Sequence, residues 1–238
     1  MSNSNYKLRT RVIKGSEVRF ISHLDFMNTL TRALRRANLP IAFSLVYNPC
    51  PQISFASALA VSLTSESEYI DFELTKDLDQ AEFRLRLNKE LPQGIKIEEA
   101  MKVPLDADSL MSIINAGSYL VRLEFEESMT SKQLKEKIEQ FMAQDEIKIM
   151  RQRRNKSDRE LDLRPMIFSL AVIGVQGQIG TIKMMVQTGS AGNVRPQEVI
   201  RALSDKFAVI KPPRLINIHR SGLYIKKGDG FFTPFEYK

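Results

Sequence analysis

The sequence has few residues that bind metals or form disulfides. Its 238 residues include one cysteine, Cys50, and two histidines, His23 and His219. A single cysteine excludes an internal disulfide and favours a reducing, cytoplasmic setting. Iron–sulfur clusters and cysteine-based zinc sites take about four protein ligands, so neither is expected within this chain. We therefore predict a protein with no metal or cofactor of its own.

Long apolar stretches are also missing. No hydrophobic run approaches the roughly 18 residues of a membrane-spanning helix, and the opening MSNSNYKLRT lacks the apolar core of a signal peptide. We therefore expect a cytoplasmic protein without membrane contact. Hydrophobic residues make up 43% of the chain and charged residues 26%, which is a globular composition. The length suits one large domain or two domains of roughly 100 residues each.

Negative charge is in deficit. The chain carries a formal net charge of +7 and a sequence pI of about 9.5. An excess of this kind attracts polyanions and says little about the fold. Nucleic acid is the commonest such partner, so the charge favours an RNA-binding protein.

Hydrophobic periodicity predicts the same order of elements in both halves of the chain, strand–helix–strand–strand–helix–strand. In the first half the helices are expected near residues 22–38 and 79–91. The strands are expected at YKLRTRVI, QISFASALAVSL, EYIDFELT and GIKIEEAMKV. In the second half, helices begin near Thr130 and Pro196, and the strands are SYLVRLEFEE, IKIMRQR, MIFSLAVIGV, GTIKMMVQT and LINIHRSGLYI, one more than the repeat needs.

This pattern predicts an α+β fold of two tandem ferredoxin-like (βαββαβ) units with antiparallel sheets. The first unit is expected at residues 1–107 and the second at 118–238. The connector 108–117 is expected to hold one helical turn. If Leu8 and Val12 face the helices, the alternating residues Lys7, Arg9 and Arg11 project from the other, open face of the sheet. Such open faces often bind RNA.

The stretch ISHLDFMNTLTRALRRANLP, residues 21–40, predicts a short amphipathic helix. Ser22 and Asp25 form a capping-box-like pair at its start, and Pro40 ends it. The predicted buried stripe consists of apolar residues at helical spacing: Leu24, Met27, Leu30, Leu34 and Ala37.

Three arginines, Arg32, Arg35 and Arg36, occupy the other side of this helix. Like charges at this spacing repel by about 0.2–0.5 kcal/mol unless something compensates them. An RNA backbone would do so, as would an acidic patch elsewhere in the protein, and we favour the polyanion. His23 can donate a hydrogen bond to a phosphate or carry a proton near neutral pH.

Residues 19–69 carry four motifs that resemble one known family. The run RFISHLDFMNTLTRALRRANLP, followed by YNPCPQISFA and SESEY, is similar to the bacterial radical SAM-linked proteins. Their pattern is RF-(L/I)-SHLD, RA-x-RRA-x-LP, GFNPHP-x-(I/L)-SFA and S-x-x-EY. The resemblance implies a domain that is fused to a radical SAM enzyme or encoded beside one.

Four positions depart from that pattern. Cys50 stands where the family has histidine, Val46 and Tyr47 replace Gly-Phe, and Ser62 stands where glycine is expected. A thiol is a poor substitute for an imidazole that shuttles protons at neutral pH. The substitution therefore argues that the NPCP loop, residues 48–51, helps to bind and does not catalyse.

Further basic residues lie in RQRRNK, residues 151–156, and in the C-terminal stretch. The complete predicted set of RNA- or partner-binding residues is His23, Arg32, Arg35, Arg36, Asn48, Cys50, Arg151, Arg153, Arg154, Lys156, Arg214, His219 and Arg220.

These features together predict a non-enzymatic RNA-binding or substrate-presenting module that acts with a radical SAM protein in tRNA or rRNA modification. Two alternatives stay open. One is an RNA-processing endonuclease of the tandem ferredoxin-like type, with His23 as its acid or base. The other is a protein–protein adaptor whose basic helix docks on an acidic patch of a radical SAM enzyme.

Overall fold

The computed structural model describes residues 5–153, 156–212 and 218–237. The chain forms two compact units, the first made of Met1–Ile114 with Arg220–Lys238 and the second of Asn115–His219. This division differs from the predicted one because the end of the chain belongs with the first unit. The predicted helical turn in the connector is confirmed as helix α3, Leu110–Ile113.

The segment predicted as the first unit has the predicted strand–helix–strand–strand–helix–strand order, and the compact unit adds a short helix and two C-terminal strands. The elements are β1 (Tyr6–Lys14), α1 (His23–Arg36), β2 (Ile53–Phe55), β3 (Thr64–Leu74), α2 (Gln80–Glu90), β4 (Ile95–Val103) and α3, with β10 (Ile218–Lys227) and β11 (Gly230–Phe232) at the end of the chain. Strand β1 pairs antiparallel with both β3 and β4. Strand β2 pairs antiparallel with β3, placing Phe55 opposite Ile70.

Strand β2 is much shorter than the predicted strand at residues 52–63. Regular pairing ends at Phe55, and the alanine-rich segment that follows has low strand propensity. Ser62 then adopts a left-handed backbone conformation with φ 75°. Its N–H donates to the Arg19 carbonyl at 2.8 Å, so this turn is held against the segment that leads into α1.

Helices α1 and α2 pack against one face of this sheet. The core between them includes Leu30, Phe83, Leu8 and Phe72, all essentially inaccessible to solvent. The predicted stripe on α1 is partly wrong. Phe26 and Ala33 are buried with Leu30 and Leu34, whereas Leu24 is 62% exposed and Met27 is half-buried.

The opposite face of the sheet is covered, contrary to the expectation of an open basic surface. A second apolar cluster there includes Tyr69, Leu110 and Leu223, with Phe235 and Tyr237 packed against it. These contacts come from α3 and the C-terminal segment, which the strand pattern of the first half does not reveal.

The three basic side chains of β1 are engaged with other residues. Arg9 is buried and forms a bidentate ion pair with Asp71, with nitrogen–oxygen distances of 2.9 and 3.0 Å. Arg11 pairs with Glu99 at 3.1 Å, and Lys7 donates to the carbonyl of Leu105. The sheet face therefore does not present these cations to a phosphate backbone.

The second unit contains β5 (Ala116–Glu124), α4 (Ser131–Met142), β6 (Lys148–Arg153), β7 (Lys156–Asp162), β8 (Ile167–Gln176), β9 (Ile179–Gln187) and α5 (Pro196–Lys206). Strand β9 pairs antiparallel with β5 on one side and β8 on the other. Strands β6 and β7 form a separate two-stranded sheet, which accounts for the extra predicted strand. Thr130 caps α4 as expected, in a capping box with Gln133.

At the coarse level the α+β prediction is confirmed. No helix built from the described residues is both long enough and apolar enough to cross a membrane.

Candidate functional site

Two of the four motif segments meet near the start of α1 in the first unit, and Ser62 joins them there. The His23 ring meets the Phe55 ring edge-on, with centroids 4.9 Å apart. Arg19 and Ser62 are joined by two hydrogen bonds, because the Arg19 Nε also donates to the Ser62 carbonyl at 3.1 Å. The fold therefore gathers residues that lie 32 positions apart in the sequence (His23 and Phe55) and 43 positions apart (Arg19 and Ser62).

Ser22 and Asp25 start α1 as predicted. The Ser22 Oγ accepts the Asp25 backbone N–H at 3.1 Å, and the Ser22 backbone N–H donates to the Asp25 carboxylate at 3.4 Å. This is a complete capping box, worth about 0.5–2 kcal/mol. Capping accounts for both side chains without a further role.

His23 is half-buried at the first turn of α1. Apart from its ring contact with Phe55, it forms no hydrogen bond or ion pair to a residue within the described ranges. A histidine acting as general acid or base is normally oriented by a third group, and here no described side chain orients either ring nitrogen.

The arginine triplet of α1 divides into two parts. Arg36 pairs with Glu90 of α2: its Nε lies 3.1 Å from the carboxylate, and Nη2 donates to the Glu90 carbonyl at 2.6 Å. Arg32 and Arg35 are exposed and have no ion pair or hydrogen-bond partner among residues 5–153, 156–212 and 218–237. The protein thus compensates Arg36 itself and leaves two cations facing solvent.

The loop that contains the NPCP motif is exposed, and its two ends are tied together. Ser44 and Cys50 close it, since the Ser44 N–H donates to the Cys50 carbonyl and the Cys50 N–H to the Ser44 Oγ, both at 2.9 Å. Asn48 and Cys50 are exposed, and the Tyr47 side chain is 99% exposed at the tip. The loop, closed by these hydrogen bonds, therefore presents the Tyr47 ring to solvent.

A small cleft lies between the second half of α1 and the segment that follows it. Its volume is about 220 Å³, and its lining residues are Thr31, Leu34, Arg35, Asn38, Leu39, Ile41, Phe43 and Pro51. Arg35 is the one charged residue in this lining. The cleft therefore joins the uncompensated end of α1 to the base of the NPCP loop.

A charged cluster is buried in the same unit. One guanidinium nitrogen of Arg220 donates to both carboxylate oxygens of Glu68, at 2.9 and 3.0 Å, and to Ser57 Oγ at 3.1 Å. Lys14, 2% exposed, donates to the Ile21 carbonyl at 3.3 Å, immediately before α1. Burial lowers the pKa of the Lys14 ammonium; Glu68 opposes this shift and Arg220 adds to it.

Arg220 is thus placed in the interior and not on a surface that binds RNA. In the sequence it is one of several basic residues of the C-terminal stretch. Its acidic partner lies 152 positions away, so local patterning gives no sign of the pair.

The remaining predicted residues lie in or near the second unit. Arg151 forms a bidentate pair with Glu198 at 2.6 and 2.7 Å and donates to the Asn193 carbonyl, which ties β6 to α5. His219 lies half-buried on β10. Arg154 and Arg214, and the side chains of Arg153 and Lys156, lie outside the described residues.

Some exposed residues near α1 were not anticipated from the sequence. Phe20 is 74% exposed, and the side chains of Leu24, Leu45 and Val46 are also exposed. Phe20 and Leu24 belong to the RFISHLD motif, so the motif could have suggested them, but their apolar character favoured burial. Across the part of the chain that the structure describes, no group of three histidine, cysteine, aspartate or glutamate residues could hold a metal.

Comparison with known proteins gives limited similarities among solved structures. The chain is similar to a chain in a Cbf5-Nop10-Gar1 complex, with 10% identity and a TM-score of 0.49 over 91% of this chain and 47% of the other. It is also similar to a chain in an H/ACA RNP bound to a substrate RNA containing 2'-deoxyuridine, with 9% identity and a TM-score of 0.45 over 97% of this chain and 49% of the other. A third match is a chain in the archaeal box H/ACA sRNP Nop10-Cbf5 complex, with 9% identity and a TM-score of 0.46 over 99% of this chain and 50% of the other. The chain spans about half the length of the chains it matches.

None of the curated proteins matches this chain. Residues 7–196, which include every motif described above, match the family described as uncharacterized protein conserved in bacteria, DUF2344, and the chain belongs to that family.

Proposed function

We propose that this chain is a non-enzymatic RNA-binding or substrate-presenting module that acts with a radical SAM protein in tRNA or rRNA modification. The observation that carries the proposal is the state of Arg32 and Arg35. Both are exposed on one face of α1 without a described partner, whereas the cations Arg9, Arg36 and Arg220 are neutralised by carboxylates. Unmatched cations at fixed spacing suit a phosphate backbone.

The exposed aromatic rings favour single-stranded RNA as the ligand. Tyr47 and Phe20 expose most of their surface, and both belong to motif segments of the first unit. Proteins that bind single strands commonly combine a basic track with aromatic rings on which bases stack. The arginines of α1 and these two rings supply both parts.

The radical SAM part of the proposal rests on the four motifs at residues 19–69 and on their resemblance to radical SAM-linked proteins. Cys50 in place of the family histidine favours a supporting role, because its thiol does not replace an imidazole proton shuttle. Any radical chemistry would then belong to the partner, while this chain holds the RNA.

We also propose that each half of the chain is a ferredoxin-like βαββαβ unit. In the first unit, the antiparallel order β4-β1-β3-β2, with α1 and α2 on one face, supports this assignment. In the second half of the chain, the order along the sequence, β5-α4-β8-β9-α5-β10, supports it, with β6 and β7 as an inserted hairpin; most of β10 is grouped with the first compact unit.

The proposal is tested by crosslinking the protein to RNA in cells and sequencing the bound RNA, with mass spectrometry of co-purified proteins from the same sample. We expect one class of RNA, tRNA or rRNA, crosslinked at a single-stranded segment, and a radical SAM protein. Recovery of neither RNA nor that protein would contradict the proposal.

A specific observation favours the adaptor as the second candidate. Phe20, Leu24, Leu45 and Val46 expose apolar surface beside the basic helix, as protein interfaces often do. Co-purification of a radical SAM protein that survives nuclease treatment, without crosslinked RNA, would favour the adaptor. Incubation with total RNA, with and without divalent metal, tests for an endonuclease: specific cleavage lost in His23→Ala would replace both proposals.

A further inference from the structure

We propose that the cleft beside α1 holds one base of a single-stranded RNA, with the phosphate of that nucleotide on Arg35. This inference rests on the proposed RNA-binding function and goes further, since it names the part of the RNA that is recognised and the place where it sits. It is carried by the size, lining and charge of the cleft.

The size of the cleft selects a small occupant. Pockets for drug-sized ligands measure roughly 300–1,000 Å³, so the volume of about 220 Å³ is below that range. It exceeds the volume of one or two waters, which take about 30 Å³ each in the liquid. One ring system fits this space, whereas a dinucleotide cofactor or a helix of another protein does not.

The lining is apolar below and polar at the rim. Leu34, Leu39 and Ile41 are buried and form the floor, while Phe43 and Pro51 are half-buried beside it. Such a floor stacks against the face of a flat ring. The exposed backbone at Asn38 is left-handed, with φ 49°, which directs the chain around the end of α1.

Two polar side chains of the lining are available to form hydrogen bonds with a ligand. The side chains of Thr31 and Asn38 make no hydrogen bond to any residue in the described ranges. The Asn38 amide offers two donors and an acceptor, which is the combination that reads the edge of a base. A purely apolar occupant would leave these groups without partners.

The position of Arg35 determines where the phosphate of the nucleotide binds. Arg35 is the one charged residue of the lining, and the segment 41–52 that forms the opposite wall contains no charged residue at all. An anionic ligand is therefore attracted to one defined point, and no carboxylate in the cleft opposes it.

A strand fits this arrangement better than a free nucleotide does. Arg32 lies one turn before Arg35, and side chains at this spacing have their Cβ atoms about 5–6 Å apart. A ligand with one phosphate uses Arg35 alone. A strand lying along α1 uses both arginines, which explains why two neighbouring cations are left uncompensated.

The test compares an eight-nucleotide oligouridylate with an abasic oligonucleotide of the same length. Thr31→Trp fills the cleft from α1, and Leu85→Trp is the matched control, because Leu85 is 73% exposed on α2. We expect wild type and Leu85→Trp to bind the strand with bases more tightly than the abasic strand. In Thr31→Trp the ratio of these two affinities should fall about tenfold. Its salt-dependent affinity for the abasic strand should stay within about twofold of wild type.

Asn38→Asp is a second variant that leaves the cleft open and places a carboxylate beside Arg35. Aspartate tolerates the left-handed backbone, so the fold should be kept and the preference for bases reduced. Melting curves of all the variants confirm that the compared proteins are folded.

The outcomes separate the two proposals. Binding of both strands, with an equal preference for bases in wild type and folded Thr31→Trp, overturns the cleft assignment and leaves RNA binding intact. No binding of either strand by wild type overturns the proposed function and the cleft with it. Uridine monophosphate bound as tightly as the strand overturns the assignment to a strand.

Discussion

Glu90 holds the guanidinium of Arg36 with two contacts, one to its carboxylate at 3.1 Å and one to its carbonyl at 2.6 Å. This pair separates Arg36 from Arg32 and Arg35, although the three are equivalent in the sequence. The consequence is a measurable difference among three arginines of one helix.

Replacing Arg32 and Arg35 together by alanine should weaken RNA binding and flatten its salt dependence. Each lost phosphate contact on a single strand reduces the slope of log K against log salt by about 0.7, so the double variant should lose about 1.4. Arg36→Ala removes the same charge per residue, but its cation is already engaged, so its slope should change less. Equal slopes for all these variants and wild type would rule out the assignment.

The parts of this site that sequence patterning predicts are the local ones. The Ser22–Asp25 cap spans four residues, so its spacing alone predicts it. The partner of Arg36 lies 54 positions away and that of Arg9 lies 62 positions away, and their identity depends on how the strands and helices pack. For the same reason, the sequence did not reveal that Leu24 is exposed or that α3 covers the second sheet face.

Ser62 gives a prediction about stability that links the sequence resemblance to the backbone. The family pattern expects glycine there, and the structure places Ser62 at φ 75°, which costs a residue with a side chain about 1–2 kcal/mol. Ser62→Gly relieves that strain, while the greater freedom of glycine in the unfolded chain offsets about 0.4–1 kcal/mol.

The net gain should raise the melting temperature by about 2–4 °C per kcal/mol for a chain of this size. Ser62→Ala is the matched control, because alanine keeps the strained conformation and should bring no such gain. A melting temperature lowered by Ser62→Gly would show that the turn does not carry this strain.

The buried pair of Glu68 and Arg220 should be sensitive to the loss of either partner. Glu68→Ala leaves the Arg220 cation buried without its carboxylate, which costs about 3–5 kcal/mol of unfolding free energy. The control is Glu99→Ala, which breaks the exposed pair with Arg11 and should cost about 0.2–1 kcal/mol. Urea unfolding of both variants measures the contrast.

An apolar replacement of both partners distinguishes a lost charge partner from lost packing. The double variant Glu68→Leu, Arg220→Met removes both charges together and should recover most of the stability that Glu68→Ala loses. A double variant as unstable as Glu68→Ala would mean that packing around these side chains, and not the unpaired charge, sets the cost.

Lys14 makes the stability of the protein depend on pH in the alkaline range. Burial holds its pKa in the folded state below the ordinary value of 10.5, so between these two values the unfolded chain binds more protons than the folded one. The free energy of unfolding therefore gains a contribution from Lys14 as pH rises through the folded pKa towards 10.5, and this contribution is missing at lower pH. Lys14→Met removes the titrating group and with it this gain.

The measurement is urea unfolding of wild type and Lys14→Met at several pH values from 7 to about 10. The stability difference in favour of the methionine variant should be largest at neutral pH and shrink as pH rises. Burial also raises the pKa values of Tyr69 and Tyr224, which lowers stability as pH rises above about 10. Because both proteins contain these tyrosines, their effect cancels in the difference, and parallel pH profiles would show that Lys14 stays charged in the folded protein across this range.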